Sequence, residues 1–288
     1  MTKSIHLAIG LIGALATLSA SAITIDGNLS DWNIDPATWK SSDPTVHSTI
    51  EDQVGNGSFY LSPGWGGQAY DAEAIYTKIS QTDQKLYIAL ATGHNPRTLN
   101  NPAANTFGAG DFAIDFGRNG TFDLGINIKH VVGVDSGGGY TFESFGVEGG
   151  VYSNPTWAYG LWNASGAYTN PNDPSYAPDL LNPTHMLAGI YRGMAELAYT
   201  VTPTTGYGGN QNDPHYFYEL SIDLGLLTRS GWDGGAFDVH WTENCANDGI
   251  SVDPPANVPE PASYALFGLA LSGLLAVRRK SVAVANCR

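Results

Sequence analysis

The chain has 288 residues, with 27 acidic against 13 basic side chains and a net charge of −14 at pH 7. An acidic surface repels phosphate, so no nucleic-acid partner is expected and anionic membrane surfaces are disfavoured. Two cysteines are too few for a disulfide-stapled scaffold.

In chain order the pattern opens with Lys3, an apolar run over residues 7–18 and the small residues Ala20-Ser21-Ala22. A positive start, a short apolar stretch and a small-residue cleavage site read as a secretory signal peptide over residues 1–22, handled by the Sec translocon and signal peptidase. Short strands are then expected at 23–25, 72–79, 85–91, 111–116, 122–128, 141–147, 194–201, 216–224 and 236–241. Many short strands between turns rich in glycine and proline predict an all-β fold, an antiparallel β-sandwich with jelly-roll or immunoglobulin-like layers, over residues 23–257. The stretch FYELSIDLGLL sets Phe217, Glu219, Ser221 and Asp223 against Tyr218, Leu220, Ile222 and Leu224. This alternation puts one apolar and one polar face on a single strand. Residues 155–183 lack periodicity and read as a long loop.

Three clusters are candidates for binding. In DFAIDFGRNGTFDLG, Asp111 and Asp115 share a strand face, Asn119-Gly120 makes a turn and Asp123 returns on the next strand. Oxygen ligands across such a hairpin suit Ca2+, with Glu73 as a further ligand if its strand lies alongside. The other reading is an Asn-Gly turn flanked by solvated carboxylates. WTENCANDG gathers Glu243, Asn244, Asn247 and Asp248, which Asp26 would meet if first and last strands pair; a polar turn is the plainer account. Trp65, Trp157, Tyr159 and Trp162 fall on loop-like, glycine- or asparagine-rich stretches. Their flat rings would stack on sugar, or pack over a sandwich edge. No nucleophile elbow, zinc helix motif or phosphate loop is present, so no catalytic residue is assigned and the chain is not read as an enzyme.

The C-terminal region carries Pro259-Glu260-Pro261, an uncharged run over residues 262–277, and Arg278-Arg279-Lys280. As a helix the run spans about 24 Å against a hydrocarbon core of about 30 Å. It is short for a permanent span, but it is apolar all round and ends on a basic stop. Five of the basic residues, Lys3, Arg278, Arg279, Lys280 and Arg288, lie in these two terminal segments. Eight then remain against all 27 acidic residues, leaving the exported region near −19 with Glu260 kept. Cys287 lies beyond the basic stop, so no intramolecular disulfide is expected of Cys245.

This three-part tail, residues 258–288, resembles the PEP-CTERM sorting signal of Gram-negative bacteria, although the extension 281–288 is longer than usual. The resemblance implies export, transient anchoring in the inner membrane by a transmembrane sorting helix, and cleavage near Pro-Glu-Pro by an exosortase. The protein would then reach the cell surface or the extracellular space. A second resemblance rests on ITIDGNLSDW, AEAIYTKISQTDQKLYIAL, GDFAIDFG and FYELSIDLGLL. In that order they look like family-nine carbohydrate-binding-like and DOMON-like β-sandwiches, with Asp223 standing where a proline is usual. That resemblance implies a two-sheet sandwich that often takes sugar and sometimes haem or calcium. The expected function is therefore a sorted surface protein whose non-catalytic sandwich binds extracellular polysaccharide, with Ca2+ as the one cofactor suggested. A structural biofilm or envelope matrix protein is the alternative, and a glycan hydrolase a distant one.

Overall fold

The alternating stretches become strands. The structure is a computed structural model, and it describes residues 23–52, 67–160, 182–246 and 248–254. Among them are β1 (His47–Ile50), β2 (Ala72–Ser80), β3 (Lys85–Thr92), β4 (Phe112–Phe116), β5 (Leu124–Ile126), β6 (Val131–Val134) and β7 (Tyr140–Phe142). They continue as β8 (Gly150–Trp157), β9 (Met186–Met194), β10 (Glu196–Tyr199), β11 (Tyr216–Asp223), β12 (Phe237–Thr242) and β13 (Gly249–Val252), with one short helix, α1 (Leu224–Arg229). One sheet runs β1-β2-β3-β11-β10 and the other β13-β12-β4-β5-β8-β9, while β6 and β7 form a separate hairpin. Every strand pair is antiparallel; Leu220 of β11 faces Ile88 of β3, and Val239 of β12 faces Ile114 of β4. This is the all-β sandwich expected. No helix among the described residues is long and apolar enough to cross a membrane; segments 1–22 and 262–277 lie outside the described residues.

The core lies between the two sheets. Ile75, Leu86, Ile88, Leu90, Tyr218, Leu220 and Ile222 of the first sheet meet Phe112, Ile114, Leu124, Val239 and Trp241 of the second. Each such side chain contributes roughly 1.5–3 kcal/mol when taken from water. α1 extends this layer with Leu224, Leu226 and Leu227, all buried. The sequence gives this helix only six residues, too few to show a helical period.

The opposite face of the first sheet is buried as well, which its pattern does not announce. The segment before β1 folds across it, and Ile23, Leu29, Trp32 and Trp39 pack on Ala74, Tyr76, Tyr87, Ala89 and Phe217. Glu219, on the polar side of β11, is therefore completely buried. Its carboxylate accepts hydrogen bonds from the backbone N–H groups of Asp26 (3.1 Å), Gly27 (2.6 Å) and Asn28 (2.9 Å), and from Trp32 Nε1 (2.6 Å). The residues expected as strand 23–25 thus lead into an anchored turn and not into a sheet.

The second sheet has its own outer layer. Ala113, Tyr152, Trp157 and Met186 cluster there with Phe122, Phe145 and Tyr159. The pairing of β8 with β9 shifts register between Ser153 and Thr156, and Asn154 there has a φ of 49°. This irregularity accommodates Pro155, which cannot donate to a regular ladder. It lets the end of β8 curl over Gly125, where a Cβ would meet Met186 Sδ and the Trp157 ring.

Where β4 begins, the backbone of Gly110 runs against two neighbouring strand ends. A Cβ there would collide with the carbonyl oxygens of Thr242 and Thr184, and the Gly110 carbonyl accepts from Trp241 Nε1 at 3.0 Å. Backbone atoms cannot rotate aside, so Gly110→Ala is expected to cost about 1–3 kcal/mol. A urea titration reads this directly; an unchanged midpoint would show that the strand ends can part freely.

Candidate functional site

Polar side chains converge where β2, β4, β12 and β13 meet. Asp71 stands just before β2, with its carbonyl accepting from Gly93 N (2.8 Å) and Thr92 Oγ1 (2.6 Å). Glu243 and Asp248 come from the turn joining β12 to β13. That turn is held by Asn244 N donating to Gly108 O (3.0 Å), by Ala246 N donating to Glu243 O (2.9 Å) and by the Thr242 hydroxyl donating to the Asp248 carbonyl. Ala72 N donates to Asp248 Oδ2 at 2.7 Å and so ties the turn to the first sheet. All three carboxyls are buried.

Burial dominates their electrostatics. The carboxyl of Asp71 is pushed up by desolvation first, then by Glu73 and Asp248. Glu243 is raised well above the ordinary glutamate range by burial and then by Asp248. Asp248 is raised by burial, partly offset by its bond from Ala72. Asp248 and Asp71 both disfavour ionisation of Glu243, and Asp248 disfavours that of Asp71, whereas a hydrogen bond from Asp71 eases ionisation of Asp248.

Beside this group, His130 Nδ1 lies 3.0 Å from Glu143 Oε2, and the His130 and His185 rings meet edge-on at 5.2 Å. His185 Nδ1 contacts Asn244 Oδ1 at 3.0 Å. Burial, with His130 adding to it, holds the His185 pKa below its ordinary value. His94 is pushed down to about 4 by burial, its Nε2 lying 3.0 Å from Phe107 O.

The acids singled out around the Asn-Gly turn do not converge. Asp115 accepts from Asn119 N (3.1 Å) and Gly120 N (2.6 Å), and Asp123 accepts from Phe116 N (2.9 Å). These carboxylates close the turn on itself. Asp111 stands at the other end of β4, fully buried, accepting from Ile128 N and from Met186 N (2.8 Å). Its role in this arrangement is to stitch three chain segments together. Glu73 lies on the other sheet, 3.0 Å from His215 Nε2 and 2.7 Å from Gln68 Nε2. Of the second cluster, Glu243 and Asp248 come together, but with Asp71; Asp26 sits in the turn held by Glu219, and Asn247 lies outside the described residues. Asp71 carried no local signal, because its partners lie more than 170 positions away.

Trp157 differs from its expected place on a loop. It ends β8, is 7% exposed, meets Phe122 edge-on and donates from Nε1 to Phe122 O (3.3 Å). Tyr159 is half-buried. Trp65 and Trp162 lie outside the described residues, as do Pro259, Glu260, Pro261, Arg278, Arg279 and Lys280. The aromatic surface that is open to solvent lies elsewhere. Tyr191 of β9 is 52% exposed and meets Tyr152 edge-on, and Tyr152 in turn packs on Phe145. Leu187, Ile190 and Met194 of the same strand are exposed. Sequence reading missed this track because two glycines and an arginine interrupt the run.

Comparison with known proteins is informative for the tail. Residues 257–280 match the PEP-CTERM protein-sorting motif. No curated protein and no solved structure matches the chain. The motif supports an exported protein that is transiently anchored in the membrane and processed by an exosortase.

Proposed function

We propose that the protein works at the cell surface as a non-catalytic binding module for extracellular polysaccharide, after Sec-dependent export and exosortase sorting. The observation that carries this reading is Tyr191, half-exposed on β9 and backed by the buried Tyr152 and by Phe145, with Arg192 beside it, whose Nε donates to Ser153 Oγ at 2.6 Å. A sugar ring offers a flat C–H face and a rim of hydroxyls. Exposed tyrosine with adjacent polar groups matches both, and an apolar patch on an otherwise acidic surface is a common mark of a binding face. The acidity turns away nucleic acid and anionic lipid.

The test is a glycan array on the purified protein, followed by Tyr191→Ala. Because Tyr191 is half-exposed, the variant is expected to keep its melting midpoint and lose about tenfold in affinity. Affinity unchanged by the variant would remove Tyr191 from the binding surface.

A structural matrix role has one observation in its favour. Among the described residues β9 is an edge of the six-stranded sheet, and it exposes apolar side chains on both faces, as a strand-pairing edge does. Self-association that Ile190→Lys abolishes, with no glycan bound, would move the conclusion to that reading.

A further inference from the structure

The group formed by Asp71, Glu243 and Asp248 is unexplained by folding alone. Asp71 is 2% exposed and the other two are 0% exposed. Both oxygens of Asp71, both of Glu243 and Oδ1 of Asp248 accept no hydrogen bond from an amide, a hydroxyl or a cationic side chain. The amides of Glu243 itself and of Asp248 lie near the Glu243 carboxylate without making an aligned bond. None of the ion pairs among the described residues reaches these acids. A separate observation points the same way. The Tyr218 hydroxyl, fully buried and also unpartnered, lies within the field of Glu243.

Buried carboxylates without donors are costly, and a sandwich that retains several of them side by side requires a compensating positive charge or shared protons. The donors are all hard oxygens, the preference of Ca2+ rather than of a soft metal. Asp71 and Asp248 already lie within hydrogen-bonding reach of each other. No three His, Cys, Asp or Glu side chains among the described residues already have metal-holding geometry, so an ion here requires a side chain to move. A glutamate has the rotamers for such a movement.

We infer that Asp71, Glu243 and Asp248 form a site for a hard divalent cation of the Ca2+ type, closed by a swing of Glu243 toward the Asp71–Asp248 pair. The ion joins the start of β2 in one sheet to the β12–β13 turn of the other and clamps this end of the sandwich. It is distinct from the Asp115–Asp123 turn, whose acids bind backbone amides. It is also independent of the polysaccharide reading, since it is measured without sugar. Extracellular modules work with Kd values of about 10⁻⁴–10⁻³ M for Ca2+, a range suited to an exported protein.

The experiment is calorimetric titration of the chelator-treated purified protein with CaCl2, paired with thermal melting. One ion per chain is expected, with a midpoint rise of about 5–10 °C at a hundredfold excess over Kd. Asp248→Asn retains an acceptor for Ala72 N and is expected to lose the Ca2+-linked rise. Glu243→Gln removes, at constant shape, the cost of protonating this buried carboxyl when no ion is present. Without ion it is expected to melt higher than the wild type, and with ion to gain nothing. A merely structural glutamate would not give these opposite signs. No shift with Ca2+, Mg2+, Mn2+ or Zn2+ in the wild type would overturn the site in favour of shared protons. A shift that persists undiminished in both variants would overturn it in favour of an ion bound elsewhere.

Discussion

Glu219→Ala is expected to lower the unfolding free energy by about 3–5 kcal/mol, the scale for removing one partner of a buried charged network. Four donors converge on this carboxylate: three successive backbone amides of the Asp26–Asn28 turn and the Trp32 indole. Without it they are left buried or half-buried with nothing to donate to. The turn also has local order, since Asp26 Oδ1 accepts from Asn28 N (2.8 Å) and Asn28 Oδ1 from Ser30 N (2.9 Å). What Glu219 adds is its docking on the sheet, and with it the cover that Trp32 provides over Tyr76. Urea unfolding followed by tryptophan fluorescence reads the loss, and an unchanged midpoint would mean that the hydrophobic cover holds the turn by itself.

The same residue gives a pH signature. Burial outweighs the four bonds and pushes the Glu219 carboxyl up to about 7, from an ordinary 4.5. The unfolded chain therefore ionises first as pH rises, and the folded state holds the extra proton between the two values. This contribution to stability is complete below pH 4.5 and is lost as pH rises through about 7. Glu219→Gln cannot titrate and directs an amide N–H2 at donors, so it is expected to be less stable. The gap to the wild type is expected to be widest in acid and to narrow towards pH 8. Parallel stability curves over pH 4–8 would show that Glu219 does not titrate in this window. Subtracting variant from wild type cancels the background from the other buried acids.

The second large effect concerns sorting. Glu260→Ala, or neutral replacement of Arg278, Arg279 and Lys280, is expected to leave the precursor essentially unprocessed. These residues lie in the segment matching the PEP-CTERM motif. The glutamate belongs to the peptide to be recognised, and the basic trio is the stop that holds an apolar run on one side of the membrane. Mass spectrometry of membrane and medium fractions from the exporting host decides it. Mature protein of unchanged mass and abundance would show that processing does not use these residues.

The sorting tail was legible because its signal is local: Pro-Glu-Pro, an apolar run and basic residues in sequence. The central strands were legible for a related reason. Ala72–Ser80, Lys85–Thr92 and Tyr216–Asp223 carry either continuous apolar runs or strict alternation, and either pattern fits a sheet. β1, β6, β13 and most of β9 were missed because four-residue strands or glycine-interrupted ones carry too little periodicity. β8 was missed as well, its end falling in the stretch read as a loop from Pro155, whereas the sheet absorbs Asn154-Pro155 in a register shift.

Glu219 marks the limit of the alternation argument. Its place on the polar face of β11 was read correctly, but that this face is buried depends on residues 23–46 folding over it. The acids divide in the same way. Asp115 and Asp123 looked like ligands because they flank one turn, and that closeness is what lets them cap the turn's own amides. Asp71, Glu243 and Asp248 have no common motif, and only the meeting of the two sheets makes them neighbours. The sequence by itself determined the sorting signal, the all-β class and the strands that form the centre of each sheet, because these follow from short-range pattern. The tertiary structure alone decided which polar side chains are buried, which aromatics face solvent and which carboxylates are left without donors. Those properties depend on contacts between segments far apart in the chain, whose burial no local period encodes.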